Sequence, residues 1–267
     1  LKYRFLKNKM DNLMVRTYAD YFNNGEKPDI LFWVGSAGSF DDRAKKITRA
    51  FVKILNRANI KFAVLGEEES SSGDAAKRAG NEFLFQMQAL MNIEILNAYE
   101  VKNIVTTCPH AYNTLKNEYS DLGGKYDVLH HTEYISNLLD EQKLSLSSSL
   151  DYKKLTYHDP CYLGRANDIY DAPRKLIDSL NVEFIEMPRN KRKSFCCGAG
   201  GAQMFKESEN GEFEINIVRT EEALKTNANI IATSCPFCNT MMTDGVKNID
   251  EGKADVMDLA ELIAECL

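Results

Sequence analysis

The amino-acid sequence predicts an α/β fold made of two tandem copies of one unit, with mostly parallel sheets. Three observations carry this. Short apolar, β-branched runs alternate with segments of helical period along the whole chain. The alternation restarts after a serine-rich stretch at 141–151. The second half also repeats the first: TTCPHA at 106–111 parallels TSCPFC at 233–238. Asp127-Val128 through Glu133, Ile135 and Leu139 likewise parallels Asp255-Val256 through Glu261, Ile263 and Leu267. The offset between the copies drifts only from 125 to 128 residues, so a pseudo-two-fold axis is expected between them.

Taken in order, residues 1–27 are polar and mixed, an N-terminal extension in which Leu1 to Phe22 reads as a helical arm or tail. The first copy is expected at 28–140. Ile30 to Val34 reads as a strand, Gly35 to Ser39 as a loop, and Phe40 to Ala58 as a helix with apolar residues at Ala44, Ile47, Phe51, Ile54 and Leu55. Lys61 to Leu65 is a second strand. Glu67-Glu68-Glu69 is an acidic run expected in a solvated loop. A long helix is expected from Ala75 to about Tyr99, then a strand at Asn103 to Thr107 and another helix. A strand at Tyr126 to His130 and a helix to Leu139 complete the copy.

After the linker at 141–151, the second copy is expected at 152–267. Lys154 to Tyr157 is a strand, Ala172 to Leu180 a helix, and Glu183 to Met187 a strand. Glu212 to Thr226 reads as helix and Ile230 to Thr233 as strand.

Composition bounds the function. The chain has 267 residues and a formal net charge of −6, with both signs interspersed. No basic stripe is visible, which argues against nucleic acid as a partner. No apolar run is long enough to cross a bilayer. Seven cysteines without a secretory signal fit a reducing cytoplasm, where thiols serve metals better than disulfides.

Five of those cysteines lie in the second half: Cys161 in HDPCYLG, the pair Cys196-Cys197 in FCCGAGG, and Cys235 and Cys238 in CPFC. Thiolates bind soft or borderline metals. Tetrahedral zinc takes four ligands and would leave one thiolate surplus, whereas a multi-iron cluster can use all five. Pro236 after Cys235 marks a helix start, where exposed N–H groups favour thiolates. Gly198, Gly200 and Gly201 permit the irregular turn that aims both adjacent cysteines at one site. Two other readings stay open: structural zinc on four of the five, and metal-free or redox-disulfide thiols.

These motifs and their spacing resemble the CCG cysteine-rich domain. That domain occurs in the B and D subunits of heterodisulfide reductase and in iron–sulfur subunits of glycolate and lactate oxidation systems. The resemblance runs from about Pro28 to the end. It implies a [4Fe–4S]-type cluster of non-cubane form, held by Cys161, Cys196, Cys197, Cys235 and Cys238. It further implies heterodisulfide-reductase-like electron transfer with a flavin dehydrogenase or a ferredoxin-like iron–sulfur protein as partner. Members with two complete motifs carry cysteines near positions 36, 71, 108 and 111. This chain has Ser36, Ser71, Cys108 and Ala111 there, so the resemblance argues against a cluster in the first copy.

The remaining candidates are weaker. His158 and Asp159 either donate to cluster sulfur and relay protons or only shape a turn before Pro160. Arg165 either offsets cluster charge or lies on the surface. His130-His131 lack a metal-ligand companion and read as structural, and Cys108 and Cys266 as packed thiols. Gly35 to Ser39 lacks the Lys-Ser/Thr of a P-loop and reads as the relic of a cluster loop. Gly73-Asp74 through Arg78, Gly80, Asn81 and Glu82 brings polar groups toward the space between the copies.

Overall fold

The computed structural model describes residues 13–150, 153–207 and 210–267. The first half carries strands β1 (Arg16–Thr17), β2 (Ile30–Trp33), β3 (Phe62–Val64), β4 (Asn103–Thr106) and β5 (Asp127–His130). They form one sheet in the order β1-β3-β2-β4-β5. The second half carries β6 (Lys154–Tyr157), β7 (Glu183–Phe184), β8 (Ile230–Thr233) and β9 (Asp255–Asp258), in the order β7-β6-β8-β9. Every pairing is parallel. Leaving out β1, the two orders are the same.

Sheets of this kind are covered on both faces, so their strands read as near-continuous apolar runs. All four residues of β2 and of β8 are buried. Because successive side chains point to opposite faces, Ile30 and Phe32 enter one core while Leu31 and Trp33 enter another.

The helices of the first half are α1 (Tyr18–Asn23), α2 (Gly35–Phe40), α3 (Ala44–Arg57), α4 (Asp74–Arg78), α5 (Glu82–Ala98), α6 (Pro109–Asn113) and α7 (His131–Asp140). Those of the second are α8 (Asp171–Ser179), α9 (Ile215–Leu224), α10 (Pro236–Asp250) and α11 (Leu259–Glu265). The largest core is shared between the halves. It holds Phe51 and Leu55 of α3, Ile135 and Leu138 of α7, Leu176 and Ile177 of α8, and Leu262 and Ile263 of α11. Full burial of such a side chain contributes about 2 kcal/mol each. Within it α3 packs on α11, and α7 packs on α8. By position in the repeat, α3 corresponds to α8 and α7 to α11. The contact is therefore the reciprocal one that a two-fold relation requires.

Several elements differ from the sequence expectation, each for a local reason. The arm expected over Leu1 to Phe22 falls partly on 1–12, outside the described residues. Beyond it, β1 adds an edge strand beside β3, and Thr17 caps α1 by accepting from the Asp20 N–H at 3.0 Å. Gly35 to Ser39 is helix rather than loop, because Glu69 receives the free Val34 and Gly35 N–H groups at 3.0 and 2.7 Å. Glu69 is thus buried, not part of a solvated acidic run. The long helix splits where Gly80 takes a positive φ of 83° and Asn81 caps α5 through the Leu84 N–H. The strand at 183–187 shortens to two residues. The serine-rich stretch is pinned down: Leu144 and Leu150 enter the shared core, and the Ser147 N–H donates to the Cys266 carbonyl at 2.7 Å.

Candidate metal centre

The five cysteines of the second half meet at the C-terminal ends of β6 and β8, where open parallel sheets place their sites. Cys161 follows β6 through His158-Asp159-Pro160. Cys235 is the residue before α10, and Cys238 lies in its first turn. Cys196 and Cys197 sit in the irregular loop between β7 and α9. There Gly198 takes a φ of +92°, and a Cβ on it would stand 3.2 Å from Ile215. That turn lets the Gly198 N–H donate to Cys196 Sγ at 3.3 Å.

The thiols form a continuous chain. Cys196 accepts hydrogen bonds from Cys161 and Cys197, and Cys238 reaches both Cys197 and Cys235. Those bonds draw Cys196 down to about 2, with help from Gly198 and against burial. Cys161, the donor, is pushed far up by that bond and by burial. Cys197 is also raised, first by its bond to Cys196. Burial works against the Cys235 thiolate, but hydrogen bonds from Cys238 and the Phe237 N–H, together with nearby His110, outweigh it and lower Cys235. Cys238 is raised, first by its hydrogen-bonding to Cys197 and Cys235 and then by burial. In the metal-free site Cys196 and Cys235 are the two lowered sulfurs and Cys161, Cys197 and Cys238 the three raised ones, and a bound metal would displace the protons that the raised thiols keep.

His158 faces this chain. Its ligand atom lies within 4.8 Å of the Cys197 and Cys238 sulfurs. Arg219 Nε donates to His158 Nδ1 at 3.0 Å. An arginine cannot accept, so Nδ1 is the acceptor and the imidazole proton sits on Nε2. That Nε2–H is buried and has no partner among the described residues. Burial, with Arg219 next, drives His158 down to about 3, so it stays neutral. A neutral imidazole whose free nitrogen carries hydrogen offers a donor beside the sulfurs rather than a metal ligand.

Asp159 does not share that role. It takes two bonds of 2.9 Å from Arg174 and one of 2.7 Å from the Lys191 N–H, tying the end of β6 to α8 and to the loop ahead of Cys196. Arg174 also holds Glu186 at 2.7 Å. Arg165 is exposed and bonds the Ser194 carbonyl, so it fixes the same loop. The buried cation near the site is instead Arg219, fully enclosed and paired with Glu222 at 3.1 Å. Nothing in the sequence singled it out. It sits inside α9 between ordinary helix residues, and only the fold brings it to His158.

The first half has the same geometry without the donors. Ser36, Ser71, Ser72, Cys108 and Ala111 line a cavity of about 120 Å³. Cys108 is buried and its thiol is raised, chiefly by burial. His110 Nδ1 meets Asp74 at 2.9 Å, and Arg78 holds Asp74 at 3.1 Å. Cys266 is packed in the shared core. His130 and His131 form a buried polar relay: Thr132 Oγ1 lies 2.8 Å from His130, His130 lies 3.2 Å from His131, and His131 lies 2.9 Å from Asp258 of the other half. Among the described residues no helix is long and apolar enough to cross a membrane.

Fold and site together define a tandem α/β protein with one thiol-rich centre. The cysteine-rich domain (CCG) family model matches residues 30–116 and 155–243, and the chain belongs to that family. It is 44% identical over 94% of its length to the probable iron-sulfur-binding oxidoreductase FadF of Bacillus subtilis. It is 44% identical over 90% to the EtfAB:quinone oxidoreductase of Syntrophomonas wolfei. It is 33% identical over 91% to the D subunit of the dihydromethanophenazine:CoB–CoM heterodisulfide reductase of Methanosarcina barkeri. The chain spans 36%, 34% and 60% of these relatives, respectively.

Proposed function

We propose that Cys161, Cys196, Cys197, Cys235 and Cys238 hold one iron–sulfur cluster of the [4Fe–4S] type, in non-cubane form. The chain would then act as an electron-transfer subunit of heterodisulfide-reductase-like type. One observation carries this reading: five thiols touch in sequence at one strand-end site, one more than zinc can use. The set also fits a cluster through its surroundings. The Gly198 N–H donates to Cys196 Sγ and the His158 ring lies beside the Cys197 and Cys238 sulfurs, and N–H donors near a cluster stabilise sulfur that carries negative charge.

When bound, the cluster supplies one-electron chemistry. The protein's own groups do the rest. Asp159 and Arg174 fix the loop that presents Cys196 and Cys197. Arg219 fixes the His158 tautomer. Electrons pass between a redox partner, a flavin dehydrogenase or ferredoxin-like iron–sulfur protein, and an acceptor. Thiols of this kind need a reducing compartment, for which the cytoplasm is the proposed place.

The rival reading is a structural subunit with zinc or no metal. Anaerobic purification with metal and sulfide analysis separates the two. A brown protein with about four irons and as many acid-labile sulfides per chain supports the redox reading. A colourless protein with a single zinc overturns it.

A further inference from the structure

The surface beside the thiol site is basic, although the chain as a whole carries a formal net charge of −6. Four of the five residues at 189–193 are Arg or Lys, and Lys191, Arg192 and Lys193 form one exposed turn. That turn ends three residues before Cys196. Arg165, four residues after Cys161, is exposed and joins the turn by donating to the Ser194 carbonyl. Cys161 and Cys196 are the half-buried members of the thiol set, whereas Cys197, Cys235 and Cys238 are buried. The cations therefore sit on the two segments through which the site comes nearest to solvent.

The turn is built rather than loose. Lys191 has a φ of +49°, a left-handed conformation that lysine seldom takes. Its N–H donates to Asp159 at 2.7 Å, and Asp159 is itself buried and gripped twice by Arg174. Backbone held against its preference in this way marks surfaces that are used. The neighbouring acids are engaged elsewhere: Glu186 with Arg174, Glu222 with Arg189, and Asp168 with Arg192 at 3.6 Å. Among the described residues this leaves the side-chain charges of Arg165, Lys191 and Lys193 without a carboxylate partner.

We propose that the basic turn at 189–193, with Arg165 beside it, is the docking face for an acidic redox protein, one that carries Asp and Glu side chains around its own electron-exchanging group. The inference rests on the electron-transfer reading for its purpose but not for its test. A positive patch steers an acidic partner and orients it, so the exchanging group arrives over Cys161 and Cys196. Brief redox encounters of this kind need only a small interface. A longer polyanion or an anionic membrane would also meet the acidic remainder of the chain, whereas a compact acidic protein meets only the turn.

The test measures binding of a fluorescently labelled flavodoxin, a small acidic one-electron protein, by anisotropy. Saturable binding is expected in about 20 mM salt and its loss in about 300 mM, because exposed charges are screened there. Lys191→Glu with Lys193→Glu should weaken it about tenfold or more. Lys102→Glu with Lys125→Glu, a pair of exposed lysines ahead of β4 and β5, makes the same change in net charge and should leave affinity within about twofold. Lys193→Glu alone spares the left-handed position and keeps the test decisive if the double variant does not fold. Absence of saturable binding, binding indifferent to salt, or equal loss in the two reversed pairs overturns the proposal. So does tighter binding of single-stranded RNA or of phosphatidylserine vesicles that Lys193→Glu abolishes. Binding reads surface charge and needs no iron, so its failure and a failure to find the cluster are separate results.

Discussion

Arg219, enclosed in α9, donates from Nε to Nδ1 of His158 at 3.0 Å, and this single bond decides which way the His158 proton points. With Nδ1 occupied, the proton sits on Nε2, and the ring lies beside the Cys197 and Cys238 sulfurs. Replacing His158 by Leu removes the buried N–H from beside those sulfurs, where a loaded cluster would accept from it. A lost hydrogen bond of about 1.4 kcal/mol corresponds to about 60 mV for one electron. The midpoint potential of the loaded protein should fall by that order, since the donor favours the more negative, reduced state. Gln, which keeps an N–H, should fall less. Potentiometric titration of both variants checks this; equal potentials in all three proteins would contradict it.

Arg219→Met tests the other partner. It frees His158 to rotate and removes a bond of 3.0 Å to the Arg189 carbonyl. Glu222 keeps Arg189, so no carboxylate is stranded. The expected cost is about 1–3 kcal/mol in chemical denaturation, with a potential shift of the same sign as His158→Leu.

Acid should weaken the fold through buried histidines held neutral. His158 is lowered to about 3 and His130 well below its usual value, in both cases first by burial. A histidine depressed in the folded state takes up protons in the unfolded state first. Its stabilising effect is full above about pH 6.5 and is lost as the pH falls toward the folded value. His110 is raised: burial opposes protonation, but the bond to Asp74 prevails, so its contribution has the opposite sign and fades as pH rises. Denaturation from pH 7 to 4 should show falling stability, and His158→Gln should flatten the slope.

The His131–Asp258 bond of 2.9 Å joins the halves with both side chains fully buried. His131→Leu leaves Asp258 unanswered in the core on that side. A loss of about 3 kcal/mol is expected, read from the urea midpoint. Asp258→Asn, which still caps the Ala260 N–H, should lose less.

Gly245 of α10 lies against Thr220 of α9, where an added Cβ would stand 2.1 Å from Oγ1 and 2.8 Å from the Thr220 Cβ. Gly245→Ala should cost about 1–3 kcal/mol. Thr220→Ala relieves the first clash but not the second, so the double variant should recover only part, measurable by thermal unfolding.

Much of the fold was legible because parallel strands buried on both faces are apolar throughout, as at Ile30 to Trp33 and Ile230 to Thr233. The repeat was legible through CPHA and CPFC. Interactions that depend on distant partners were not. Glu69 reads as one of three surface acids, and only the approach of Val34 and Gly35 makes it a helix cap. His158 was visible beside Cys161, but Arg219 is 61 residues away and became a partner through folding. Asp159 stood next to the same histidine and turned the other way, toward Arg174, because residues adjacent in an extended segment point to opposite sides.

The central claim is that five particular thiols hold one cluster. Iron and acid-labile sulfide content, measured anaerobically in single Cys→Ala variants of all seven cysteines, tests it most directly. The account predicts reduced content for Cys161, Cys196, Cys197, Cys235 and Cys238, and full content for Cys108 and Cys266. Full iron and sulfide in any of the five, or stoichiometric zinc in the unaltered protein, would contradict it.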